Sequence, residues 1–140
     1  MTVVRIYLPA NQNLLRHLHT EGEVPAQVAF TVDDRLLTTF DVDHDDEEVA
    51  EFIAMQLAAE HAYELSPGTV VVIAADVTDE GAVTGDDAGE VRVTNPVSLA
   101  QVVSIHVGTV GGGGGASEVD ASDLGWWAVQ ELPALLASLE

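Results

Sequence analysis

The segment Thr69–Val77 (TVVVIAADV) constrains the fold more than any other stretch of the chain. It is apolar at consecutive positions, so a strand built from it has no polar face. Such a strand has to be covered on both sides, in the middle of a sheet with other elements packed above and below. Thr2–Leu8 is a second β-branched run, in which Val4, Ile6 and Leu8 alternate with Arg5 and Tyr7 before Pro9 ends it. Ala26–Val32, Glu90–Thr94, Val103–Val107 and Leu124–Val129 read as further strands.

Helix signals lie between them. Asn11 or Asn13 is placed to cap a short helix carrying Leu14, Leu15 and Leu18, and Gly22 supplies its stop. Asp33 caps a turn through Leu37. The longest predicted helix is Asp45–Leu65, with Val49, Ile53 and Leu57 at i, i+4 spacing beside Phe52 as its apolar stripe and carboxylates crowding the first turn. Ser66-Pro67-Gly68 ends it. Ser98 caps one turn through Val102, and Pro133 opens a terminal helix carrying Leu135, Leu136 and Leu139. Asp79–Gly89 reads as a polar loop. Residues 109–122, around Gly111–Gly115, read as a flexible loop with neither the spacing nor the lysine of a phosphate cradle. The expectation is one domain over 1–140, a mixed α/β sandwich. Its sheet is expected to be partly parallel, of about five to six strands with helices packed on it.

Charge excludes more chemistry than any motif suggests. The chain has four basic residues, all arginine, against 24 acidic ones, a formal net charge of −20. Without lysine there is no Schiff-base nucleophile, and without cysteine there is no thiol catalysis, disulfide or metal–thiolate site. The phosphate backbone of nucleic acid and the face of an anionic membrane would both repel it, so neither is an expected partner. No apolar run reaches the roughly 18 residues of a membrane span, and the start lacks the pattern of a signal peptide. A cytoplasmic protein without a cofactor is expected. The acidity itself suits a basic protein partner, mimicry of DNA, or simply the composition of a GC-rich or salt-adapted genome.

Local constellations are few. Asp41, Asp43 and Asp45 begin like a calcium loop, but Asp46 stands where the loop needs glycine and Phe52 where it needs a bidentate glutamate. What remains is a weak divalent-cation cluster or a solvated charge run. His17 and His19, two apart on a predicted helix, do not share a face. His61 suits a structural place near a helix C-terminus. His106 lies between Ile105 and Val107 and so faces away from both. If strand pairing brought Arg5, Tyr7, Arg92 and His106 together on one solvated face, they would form an electropositive spot for an anionic small molecule. Trp126 and Trp127 face opposite ways in a strand, and an outward one beside Gln130 and Glu131 would anchor a protein partner.

The order of short signatures is also familiar. Arg5-Ile6-Tyr7-Leu8-Pro9-Ala10 opens the chain, Val71–Val77 ends in Ala-Ala-Asp-Val, and Pro96-Val97 precedes the strand with Ile105-His106-Val107. Leu124-Gly125-Trp126-Trp127-Ala128-Val129-Gln130-Glu131-Leu132 follows near the end. Together these resemble a family of small uncharacterised actinobacterial proteins, classed as a domain of unknown function. The resemblance implies a helix-rich segment before the tryptophan motif, where this chain has its glycine tract, and it implies no activity. Two readings follow: an acidic interaction or regulatory module, towards which the absence of a catalytic signature leans, and a ligand-binding protein or small enzyme using the Arg5/Tyr7/Arg92/His106 face.

Overall fold

The computed structural model describes residues 2–25, 27–109 and 119–139. Its strands are β1 (Val3–Ala10), β2 (Glu23–Val24), β3 (Val28–Phe30), β4 (Thr69–Thr78), β5 (Ala82–Thr84), β6 (Glu90–Val93), β7 (Val97–Ser98), β8 (Val102–Thr109) and β9 (Gly125–Ala128). Its helices are α1 (Gln12–Glu21), α2 (Asp34–Thr39), α3 (Glu47–Leu65) and α4 (Leu132–Leu139). The long apolar run takes the interior position expected of it: β4 lies between β1 and β8 in a seven-stranded sheet ordered β5-β6-β3-β1-β4-β8-β9. β2 and β7 form a separate two-stranded ladder.

Every described pairing is antiparallel, which corrects the partly parallel sheet expected from the sequence. The reason is topological. The helical crossover from β3 to β4 does join strands running the same way, as a β–α–β unit should. The sheet inserts β1 between them, however, so the two never share a ladder.

Both faces of the sheet are buried over its central strands. On one, Ile6, Leu8, Val71, Ile73 and Ile105 pack with Leu15 and Leu18 of α1 and Leu132, Leu135 and Leu136 of α4. On the other, Tyr7, Phe30, Val70, Val72 and Ala74 pack beneath α3 and Leu36 of α2. Local caps set the short helices as expected. The Asn11 side chain accepts from the Leu14 amide at 2.9 Å, and Asp33 accepts from the Leu36 amide at 2.8 Å. Gly22, at φ 77°, closes α1 with its amide on the Leu18 carbonyl.

The long helix forms where predicted but lies on a different face. Val49 and Phe52 are exposed, Ile53 and Leu57 are only partly buried, and the residues pressed on the sheet are Ala50, Ala54, Ala58, Ala59 and Ala62. Alanine lets a helix axis approach a flat sheet closely, and the sheet's own valines then supply the apolar contact. Bulkier residues are left to the flanks.

The loop expected over Asp79–Gly89 is more regular than that. It contains a 3₁₀ turn and β5, and β5–β6 is a hairpin. Arg35 of α2 holds the hairpin, donating to the carbonyls of Gly85 at 2.8 Å and Glu90 at 3.2 Å while pairing with Asp33. Gly111–Gly115 and most of the loop expected over 109–122 lie outside the described residues. Beyond them, Val119 is buried, and a 3₁₀ turn spans Ala121–Asp123. Gln56 of α3 holds this segment by both ends of its amide, donating to the Val119 carbonyl at 2.6 Å and accepting from the Ala121 amide at 2.7 Å.

Candidate functional site

Helix α3 runs over the middle of the sheet and leaves a flank on each side. One flank reaches β8 and β9. His106 pairs across the strands with Val72 and Trp126, so all three side chains share the α3 face. The His106 Nε2 lies 2.9 Å from the Ser104 hydroxyl, and burial pushes the imidazole below its ordinary value. Desolvation disfavours the charged ring, so the partner this site offers it is a neutral one. Trp126 is 63% exposed, whereas Trp127, opposite Ile105, packs against the α1/α4 core. Gln130 and Glu131 are exposed, and the Glu131 carboxylate is occupied by the Ala128 amide at 2.8 Å.

The other flank is a groove of about 320 Å³ between α3, the end of α2 and the β5–β6 turn. Phe30, Leu57 and Phe40 make it largely apolar, and the His61 ring leans on Phe30 with centroids 5.9 Å apart and planes at 58°. Glu60 and Glu64 of α3 and Asp87 of the turn stand at its rim.

Register places Arg5, Tyr7, Arg92 and His106 on one face, since each projects to the α3 side of its strand. It does not bring them together. Arg92 on β6 and His106 on β8 are four strand spacings apart, about 19 Å. The face is solvated only in part: α3 covers its middle and buries Tyr7 to 4% exposure, while Arg5 and Arg92 are exposed. Burial raises the Tyr7 phenol, and the nearby Glu51 charge adds to the effect. Arg5 is committed to Asp76 through two bonds, from Nε to Oδ1 and from the terminal nitrogen to Oδ2 at 3.2 Å. This side-on geometry is the strong form of the pair and raises the guanidinium pKa further. Arg92 is exposed and reaches Asp86 at 4.0 Å.

Asp41, Asp43 and Asp45 are exposed, and among the described residues no three His, Asp or Glu side chains converge to hold a metal ion. Asp41 takes a left-handed conformation, φ 54°, just beyond α2, and the chain then turns through Asp43–Asp46. The groove was not legible in the sequence: Phe30, Phe40, His61 and Asp87 come from four separate segments and meet only through tertiary packing. The one local signal was the shared helical face of Leu57, Glu60, His61 and Glu64.

Among the described residues, no helix is long and apolar enough to cross a membrane. No curated protein and no solved structure matches the chain. A family model does, over residues 4–136, and on that extent the chain belongs to a family of unknown function, DUF6912.

Proposed function

We propose that the chain is a non-catalytic interaction module that offers an aromatic anchor on an acidic surface to a basic protein partner. The observation that carries this reading is the 63% exposure of Trp126 on β9, at the edge of the sheet. Tryptophan is enriched at binding hot spots, where a large side chain gives up its water on association. Its twin Trp127 faces inward, so the pair divides the labour between partner and core. The alternative, an anionic-ligand site on Arg5, Tyr7, Arg92 and His106, is less favoured because Asp76 partners Arg5 and four strand spacings separate Arg92 from His106. With a charge of −20, attraction to a basic partner steers encounter, and the tryptophan supplies contact that salt does not screen. The same reading has a single domain over 1–140 acting in the cytoplasm without a cofactor. A GC-rich actinobacterial source accounts for the composition.

The test is site-specific photo-crosslinking in cells from position 126, with position 83 as control. Val83 is 51% exposed on β5, at the opposite edge of the sheet. A discrete adduct from 126 that is absent from 83 and persists at high salt is the expected result. Identical adduct patterns from both positions would sink the reading.

A further inference from the structure

We infer that the groove between α3, α2 and the β5–β6 turn receives an arginine side chain from a basic segment of the partner protein. This rests on the interaction reading above but uses a different surface from Trp126, on the far flank of α3.

Three observations carry the inference. First, the groove pairs apolar and aromatic walls, Phe30, Phe40 and Leu57, with a rim of carboxylates from two separate elements. Second, the chain brings no lysine or arginine to that rim, where its own groups are the His61 ring and the Gln56 amide, which donates to Glu60 Oε2 at 2.9 Å. It has no lysine, and each arginine is engaged elsewhere: Arg5 with Asp76, Arg16 with Asn13, Arg35 with Asp33 and the hairpin carbonyls, Arg92 with Asp86. Among the described residues no ion pair includes Glu60, Glu64 or Asp87. Glu60 and Glu64 are also i, i+4 neighbours, an arrangement that destabilises a helix when both are charged. Third, at about 320 Å³ the groove lies at the small end of ligand sites, suited to one long side chain. Phe40 is 43% exposed at its mouth, which is where the body of an entering side chain would lie.

A hydrated inorganic cation would satisfy the carboxylates but gain nothing from the walls. A guanidinium uses both. Its planar face stacks on an aromatic ring, its fork bonds carboxylates, and it sheds water more readily than an ammonium.

The experiment is an NMR titration of the isotope-labelled full chain at physiological salt. The probes are acetylated pentapeptides that differ only at the central residue, arginine, lysine or citrulline, together with free agmatine. The expected outcome is shifts confined to Phe30, Thr39–Phe40, Leu57–Glu64 and Asp87–Ala88, with affinity falling from arginine to lysine and vanishing with citrulline. Glu64→Gln and Phe40→Ala, both at exposed positions, are each expected to weaken the arginine peptide about tenfold, while Trp126→Ala leaves it unchanged. Shifts spread evenly over the acidic surface, or citrulline binding as well as arginine, would overturn the site. Agmatine binding more tightly than any peptide would overturn the partner assignment in favour of a free amine. Loss of the groove in this assay leaves the crosslink from position 126 standing, so the two readings fail separately.

Discussion

Three residues hold positions that no other side chain would fill equally well. Gly89 sits at φ 77°, and a Cβ there would lie 2.9 Å from the Leu36 Cδ1 and 3.0 Å from the Thr31 carbonyl oxygen. Both are packed groups with little room to give, so Gly89→Ala is expected to cost about 1–3 kcal/mol in urea unfolding. A neutral result would mean the turn relaxes. Gln56 is the second. Gln56→Ala leaves the Val119 carbonyl and the Ala121 amide without their partner, and the expected loss is about 1–3 kcal/mol. Hydrogen exchange should show the Ala121 amide opening ahead of β4, whereas protection unchanged at Ala121 would mean the clamp is dispensable. His106 is the third, and its effect depends on pH. Burial holds its folded-state pKa below the ordinary value of 6.5. The unfolded chain therefore takes up the proton first as pH falls. Stability from this group is full above the unfolded value and declines below it. Subtracting the stability of His106→Asn from that of the parent should give a difference that shrinks from neutral pH towards about pH 5. A flat difference would place the ring in water.

Alanine at the sheet contact makes α3 the element with the least intuitive energetics. Ala54 and Ala58 are fully buried against the strands, while Val49 is 44% exposed. Ala54→Leu is therefore expected to destabilise by about 1–3 kcal/mol through overpacking, and Val49→Gln by no more than about 0.5 kcal/mol. The reverse order in thermal unfolding would mean that the helix is rotated to bury Val49, Ile53 and Leu57. The sequence suggested that rotated arrangement because a periodicity reading weights bulky apolar residues. In a helix apolar on several sides, that weighting gives no direction. The ends of elements were easier to read, since Asn11, Gly22 and Asp33 act through bonds three or four residues away. The two-sided character of β4 was likewise local information. Strand direction was not, because inserting β1 between β3 and β4 is decided by tertiary packing. The same holds for the candidate sites. Arg5 and Asp76 are 71 residues apart in sequence, and only the register of β1 against β4 brings them together.

At the scale of the whole molecule, a net charge of −20 on 140 residues works against the compact state. Two covered faces of one sheet supply the apolar burial that offsets it, and few ion pairs assist. The described ones, Arg5–Asp76, Arg35–Asp33 and Arg92–Asp86, are all at least partly exposed, so each contributes at most about 1 kcal/mol. Screening should accordingly stabilise this protein more than it does a neutral one. The Debye length falls from about 30 Å at 0.01 M salt to about 3 Å at 1 M, which covers the range from molecule-wide repulsion to near-contact pairs only. The melting temperature is expected to rise steadily with sodium chloride over that range. Stability from guanidinium chloride, itself a salt, should exceed the value from urea measured at low ionic strength. Calcium chloride at low concentration serves as the control for Asp41, Asp43 and Asp45. If their acidity is diffuse, Asp43→Asn shifts the calcium and sodium responses together. A calcium-induced stabilisation that Asp43→Asn abolishes, with the sodium response intact, would establish a local cation site there. A melting temperature indifferent to salt would mean that repulsion among the carboxylates is no larger than the attraction in the ion pairs that the same salt weakens. The acidity would then be a matter of composition, and the electrostatic case for a basic partner would lose its footing.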